Sequence, residues 1–297
     1  MLSELVRFRN WLHRRSPAAS TPRHYAHDLQ RFFAWCDKPP DAVTVRVIDA
    51  FIQHSQALGH AVATINRRLA ALRAFYAFLD LTSDAAPGCP VIPRRHFIHQ
   101  GGCLPRDLQD EDVARLFAVI DSARDRAMFL LMLRCGLRVS EVHALSAPDL
   151  FLDPRRGTLP RLWITGKGSV QRVVYLSPQA LGILQTWLTV RPAAADPAVF
   201  LSRRGRRLSV RAIQECFTRY ARLANVAASC HQLRHTFARH LLEAGMPVTS
   251  IQKLLGHRRL RTTQVYLNIS DRQLQADYQA AMTLITQRLA LPEGGAA

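Results

Sequence analysis

The sequence predicts a mainly helical protein with one small antiparallel β-sheet, organised as a helical N-terminal domain followed by a larger mixed domain. Three observations carry this. Apolar residues recur at helical spacing through the first part of the chain and again after Pro178. A Pro- and Gly-rich break at 82–104, with Pro87, Pro90, Pro93 and Gly101-Gly102, keeps neither helical period nor strand alternation. Two β-rich segments, 161–165 and 171–176, face each other across Gly166-Lys167-Gly168-Ser169.

Each element follows from local pattern. Leu5, Phe8, Trp11 and Leu12 share one helical face, and Thr21-Pro22 opens a second helix carrying Tyr25, Leu29, Phe32, Phe33 and Trp35. Val47 to Leu58 forms a third helix. Ala63 to Leu81 forms a fourth, with Ile65, Leu69, Leu72, Phe75, Tyr76 and Leu79 at helical intervals. These place a first domain at 1–85, a linker at 86–103 and a second domain at 104–297. In the second domain Asp110 starts a helix through Val113, Leu116, Phe117 and Ile120. The apolar run at 127–133 reads as a buried helix ended by Gly136. Ser270 with Gln273 reads as a capping box opening a terminal helix, along which Leu274, Tyr278, Ala281, Ile285 and Leu289 line one face. Such a stripe has to be covered, either by its own domain or by a neighbouring subunit.

Composition narrows the partners. Lys and Arg number 40 against 22 Asp and Glu, a net charge of +18 that favours a polyanion and points to nucleic acid. All the basic residues except Lys38, Lys167 and Lys253 are arginines. Genomic base composition explains Arg over Lys but not the net excess. No apolar run approaches the ~18 residues of a membrane span, and the N-terminus mixes charged with apolar residues. A cytoplasmic protein with no membrane contact is expected. The six scattered cysteines suggest no disulfide framework. Cys89, His96, His99 and Cys103 form a cluster whose spacing matches no common zinc module, and a linker rich in Pro, His and Arg is the preferred reading. Neither a metal nor a cofactor is expected.

Four segments carry chemistry: GLRVSEVHAL at 136–145, TGKGS at 165–169, HQLRHTFARHLLEAG at 231–245 and LLGHRRLRTTQVYLN at 254–268. Singly, each has an ordinary explanation, and Gly166-Lys167-Gly168-Ser169 lacks the earlier glycine of a Walker phosphate loop. Their order and separation are specific. Together they resemble the tyrosine recombinases, or phage integrase family, and within it the short Xer-type members. The segments TPRHYAHDLQRFFAWC and INRRLAALRAFYAFL are similar to that family's core-binding domain. The resemblance implies a helical core-binding domain at 1–85 and a mixed α/β catalytic domain ending in a C-terminal exchange helix. It also implies a catalytic set of Arg138, Lys167, His231, Arg234, His257 and the nucleophile Tyr266, with the acidic position three after the first arginine filled by Glu141. Val170 and Tyr175 depart from the family pattern, in which a basic residue and a proline are common there.

The chemistry of phosphodiester attack fits these residue types. Negative charge builds on two non-bridging oxygens, which guanidiniums clamp with paired, charge-assisted bonds; Arg138 and Arg234 suit that task. His231 and Arg234 are three apart, on one helical face. A phenol with a pKa near 10 needs a base, for which His231 is the best candidate, and the departing 5′ oxygen needs a proton that lysine gives up and arginine does not. His257 is expected to bond the phosphate or pack beside Tyr266. The resemblance implies strand exchange through a 3′-phosphotyrosyl intermediate and a Holliday junction. The implied partners are duplex DNA with inverted half-sites and a tetramer of this chain or of a paralogous recombinase. Two alternatives stand beside it: relaxation of supercoils by a type IB topoisomerase-like reaction, and a non-catalytic DNA-binding regulator.

Overall fold

The first described helix turns its two buried residues, Leu5 and Phe8, towards the helices that follow. The computed structural model describes residues 3–15, 21–83, 86–99, 107–153, 158–166, 171–256 and 271–289. These divide into two compact units, Met1–Leu104 and Pro105–Ala297. In the first, α1 (Ser3–Arg15) buries Leu5 and Phe8 against α2 (Thr21–Cys36) and α4 (Val62–Thr82). Phe8 meets Phe75 edge-on with ring centroids 5.5 Å apart, one of the favoured aromatic geometries. Helix α4 is buried on several sides, and its Tyr76 hydroxyl donates to the carbonyl of Pro40 at 2.7 Å, giving a buried polar group its partner. Helix α3 (Val45–Ala57) completes this unit by burying Ile48 and Phe51.

Residues 86–98 are docked on that unit. Val91 is buried, and Phe97 and Ile98 pack against the same core. Asn66 holds Ile98 from both sides, Nδ2 donating to its carbonyl at 2.8 Å and Oδ1 accepting from its amide at 3.0 Å. A short helix, α5 (Pro93–His96), brings Arg95 to Asp49 of α3 through bonds of 3.1 and 2.6 Å. His96 Nδ1 accepts from the Ile92 amide at 2.9 Å, and Nε2 lies 3.2 Å from Asp49 Oδ1. Both ring nitrogens thus face protein groups, which argues against a metal at the Cys/His cluster; Cys103 lies outside the described residues.

In the second unit, α6 (Asp110–Ala118) leads to α7 (Ala123–Cys135), which is buried from Asp125 to Cys135. Ser122 caps α7 by accepting from the Asp125 amide, and Gly136 ends it in the left-handed region at φ 64°. Helix α8 (Val139–Ala144) follows, then a three-stranded antiparallel sheet in the order β1 (Leu150–Phe151), β2 (Arg161–Thr165), β3 (Gln171–Tyr175). Leu162 opposes Val174 and Ile164 opposes Arg172, so this face of the sheet is turned to the core. The remaining helices are α9 (Pro178–Val190), α10 (Val210–Leu223), α11 (Cys230–Glu243), α12 (Val248–Leu255) and α13 (Asp271–Arg288). No helix among the described residues is long and apolar enough to cross a membrane.

The stripe on α13 is covered by its own unit. Leu274, Tyr278, Ala281 and Ile285 are buried in a cluster with Phe237 and Leu241 of α11 and Leu254 of α12. Tyr278 donates to the carbonyl of Tyr175 at 2.8 Å, and Ser250 donates to Asp277 at 2.8 Å. At the far end Arg134, fully buried in α7, donates from Nη2 to the carbonyl of Leu289 at 2.9 Å. Burial brings the Arg134 pKa down to about 10, which leaves it charged at neutral pH and in need of acceptors. The last carbonyls of a helix lack intrahelical partners and suit that need. The Ser270 capping box lies outside the described residues.

Asp110 ties three helices together: Arg239 and His240 of α11 reach its Oδ1 at 2.9 and 2.8 Å, and Arg288 of α13 donates to Oδ2 at 2.6 Å. Burial raises its pKa, but the bonds from His240, Arg239 and Arg288 outweigh this and hold it well below the ordinary aspartate value of 3.8. The stability this contributes is therefore present above pH 3.8 and lost as pH falls towards the folded-state pKa. Asp110→Asn is expected to cost about 1–2 kcal/mol at pH 7. Thermal melts should show a midpoint lower by about 2–8 °C. The gap between variant and parent should narrow progressively as pH falls below 3.8 towards the folded-state pKa; equal midpoints at pH 7 would show that the cluster adds nothing.

Candidate active site

The site is assembled where the end of α7, the start of α8, the start of α11, the end of α12 and strand β3 converge. Gly136 turns the chain out of α7, and Arg138 takes the N-cap position of α8. Three residues on, Glu141 reaches back so that Oε2 accepts from the Arg138 amide at 2.8 Å, satisfying one of the helix's unpaired donors. Helix α11 is capped in the same way, Gln232 Oε1 accepting from the Ser229 amide at 2.8 Å. His231 and Arg234 follow, one turn apart on one face. The Arg234 guanidinium is buried and donates to the carbonyls of Gly136 and Leu255.

One carboxylate lies at the centre. Glu141 is 4% exposed, too buried to stand as an uncompensated charge. Arg172 of β3 grips it with two parallel bonds, Nη1 to Oε1 and Nη2 to Oε2, both 2.7 Å. Arg138 adds a bond of 2.9 Å to Oε1, and Arg234 Nη1 stands 3.8 Å from Oε2. Burial raises the Glu141 pKa, but the Arg172 bond and charge, with the bonds from Arg138, more than offset it and the pKa falls. The Arg234 pKa is brought down to about 9 by burial first and by the charge of Arg138 next; it stays protonated at neutral pH. His231 has its pKa lowered by partial desolvation, then by the charges of His235, Arg234 and Arg138, so its imidazole is biased towards the neutral form.

Arg138, His231 and Arg234 line a single cleft of about 370 Å³, with Ser140, Gln214 and Thr218 on its walls. A cleft lined by two guanidiniums and an imidazole biased towards the neutral form can hold an oxyanion and accept a proton beside it. Lys167, His257 and Tyr266 lie outside the described residues. Arg172 was not singled out from the sequence, although a signal was present. Strand alternation puts it on the same face as the buried Val174, and a cation on the inward face of a half-buried strand needs an anionic partner.

Residues 106–273 match the family model described as "Phage integrase family", and residues 5–81 match "Phage integrase, N-terminal SAM-like domain". The chain belongs to the phage integrase family. Its similarity to curated members is extensive. Tyrosine recombinase XerC of Escherichia coli O157:H7 is 34% identical over 255 residues, covering 81% of this chain and 80% of that protein. Tyrosine recombinase XerC of Salmonella typhi is 35% identical over 256 residues, with the same coverage of 81% and 80%. In fold, the chain is similar to the XerH site-specific recombinase in its post-cleavage complex, with a TM-score of 0.67 and 20% identity over 90% of this chain and 77% of that one. It is likewise similar to a lambda integrase fragment bound to a core site, with a TM-score of 0.66 and 19% identity over 90% and 98% of the two chains. This member of the family is an enzyme of site-specific DNA recombination, as the order of its sequence motifs implied.

Gly136 is the position on which the geometry of the cleft turns. At φ 64° a side chain is already disfavoured, and a Cβ there would come within 2.5 Å of Phe237 Cδ1 and 2.8 Å of Leu255 Cδ2. Gly136→Ala is expected to destabilise the catalytic unit by about 2 kcal/mol or more. It should also move the carbonyl that Arg234 uses, so that cleavage activity falls further than the folded fraction measured by thermal melting. A variant that melts and cleaves like the parent would contradict this account.

Proposed function

We propose that this phage integrase family member cuts and rejoins duplex DNA at specific sites by attack of Tyr266 on a phosphodiester, forming a 3′-phosphotyrosyl link and releasing a 5′-hydroxyl. The observation that carries this reading is the meeting of Arg138, Arg234 and His231 at one cleft. As the Tyr266 oxygen bonds to phosphorus and the bond to the 5′ oxygen breaks, charge grows on the non-bridging oxygens, and Arg138 and Arg234 stabilise it. The phenolic proton passes to His231, whose lowered pKa keeps it ready to accept. Lys167 gives a proton to the 5′ oxygen, and His257 bonds the phosphate. The covalent link conserves the energy of the broken bond, so the released hydroxyl of a partner strand rejoins it without hydrolysis of ATP.

The working assembly is a tetramer, of this chain alone or with a paralogous recombinase, on DNA with inverted half-sites, passing through a Holliday junction in the cytoplasm. The resemblance to the short Xer-type members supports this. The first unit serves as the core-binding domain and the second as the catalytic domain. Helix α13 would exchange between neighbours only by giving up the contacts of Arg134 with Leu289, Tyr278 with Tyr175 and Arg288 with Asp110.

Two experiments test the chemistry. Tyr266→Phe should bind a site-bearing duplex as the parent does and yield no covalent adduct on a nicked suicide substrate in a denaturing gel; an undiminished adduct removes Tyr266 from the role. Lys167→Arg keeps the charge and should slow cleavage by about 10²–10⁴-fold. A substrate with a 5′-bridging sulfur, whose leaving group needs no proton, should restore most of that loss. Normal cleavage of ordinary DNA by Lys167→Arg would reduce the lysine to a phosphate contact.

A further inference from the structure

We infer that Arg172 is a positioning residue that keeps Glu141 from cancelling the charge of Arg138 and Arg234, and so sets the strength of the phosphate site without touching the phosphate itself. The inference rests on the recombinase reading for its catalytic consequence, but its electrostatic core stands on the geometry of one buried carboxylate. Glu141 is held at 2.7 Å by both arms of Arg172, a fork-to-carboxylate arrangement that fixes its plane. In this orientation the Arg138 guanidinium meets only one oxygen, at 2.9 Å, the other being taken by the Arg138 amide, and Arg234 stands off at 3.8 Å.

Arg172 is itself fixed. Its side chain is 9% exposed, and its Nε donates to the carbonyl of Leu254 at 2.9 Å, in the last turn of α12. Gly256 makes room beside it: a Cβ there would lie 3.0 Å from Arg172 Cδ. Along β3, Arg172 pairs with Ile164, one step in from the Thr165 and Gln171 pair that closes the described part of the hairpin. The same guanidinium therefore braces strand β3, the capped start of α8 and the end of α12.

Charge balance states what this brace does. Arg138, Arg172 and Arg234 against Glu141 leave a cluster with two positive charges. Without Arg172 one remains, and the carboxylate, no longer held by its strongest partner, turns to the other arginines, which are within 4 Å already. Both effects weaken the hold on a phosphate. Removing the carboxylate charge as well brings the cluster back to two positive charges. In Glu141→Gln the side-chain oxygen can still accept from the Arg138 amide, so the cap on α8 survives.

The test compares the parent, Arg172→Gln, Glu141→Gln and the double variant in the full-length protein, with thermal melting of each. Two readouts are used: single-turnover adduct formation on a suicide duplex, and the rise in melting midpoint on adding inorganic phosphate. Arg172→Gln is expected to lose about 10²-fold in adduct rate, the scale of a misplaced catalytic group, and most of the phosphate-induced rise. The double variant is expected to recover at least about tenfold over Arg172→Gln and to regain the phosphate response, a coupling that a merely structural role would not produce. A double variant no faster than Arg172→Gln, with both folded, overturns the inference. If Arg172→Gln does not fold, Arg172→Lys, which keeps the charge but not the paired grip, is compared alone and with Glu141→Gln under the same criteria. A parent that forms no adduct refutes the recombinase reading. The phosphate response then decides the role of Arg172 alone: its loss in the single variant and return in the double support that role, and an unchanged response overturns it.

Discussion

The active region depends on a single buried carboxylate. Glu141 caps the helix that presents Arg138, receives both arms of Arg172 and stands within ion-pair distance of Arg234, so one side chain links α8, β3 and α11. Placing like charges so close is unfavourable in a medium of low dielectric unless an anion lies among them. The fold meets that condition with one glutamate and two backbone carbonyls, those of Gly136 and Leu255, turned to Arg234, the most buried of the three guanidiniums around Glu141. The backbone supplies acceptance without adding negative charge, which leaves the cleft net positive.

The two ends of the Arg234 clamp show how secondary structure serves this site. Gly136 and Gly256 both lie at φ 64°, each just past the end of a helix, where a left-handed residue commonly terminates it. Each termination leaves backbone carbonyls without helical partners, and Arg234 takes one at each end. The glycines thus have a double reason: they stop α7 and α12, and they let the last carbonyls approach a buried cation.

Much of this was legible in the sequence. The long helices have strong periods, so Ile65 to Leu79 and the apolar run in α7 were readable without tertiary information. His231 and Arg234 could be placed together because helical spacing alone puts them on one face. What escaped depends on contacts between distant residues. Strand β1 has only two residues, too few to show alternation. The docking of 86–98 rests on Asn66 meeting Ile98, 32 positions away, in a segment whose prolines read as a plain connector. Arg172 carried a signal that needed the strand's inward face to be recognised first. The cover over α13 was the least readable, since an apolar stripe says that something buries it and not what. Its resemblance to an exchange helix favoured a neighbour, whereas the chain covers the stripe itself through contacts such as Tyr278 with Tyr175.

The contact between Arg134 and Leu289 constrains variation in an unusual way. The acceptor is a main-chain oxygen, so the side chain at position 289 contributes nothing to the bond itself, and the bond alone leaves it free to drift. Length is another matter. Inserting or deleting one residue within α13 would rotate its distal end by about 100° and shift it by about 1.5 Å. That would leave a buried guanidinium without its carbonyl and turn the stripe away from its groove. Among descendants of this chain, substitutions should be tolerated on the exposed side of α13, while insertions and deletions there should be purged.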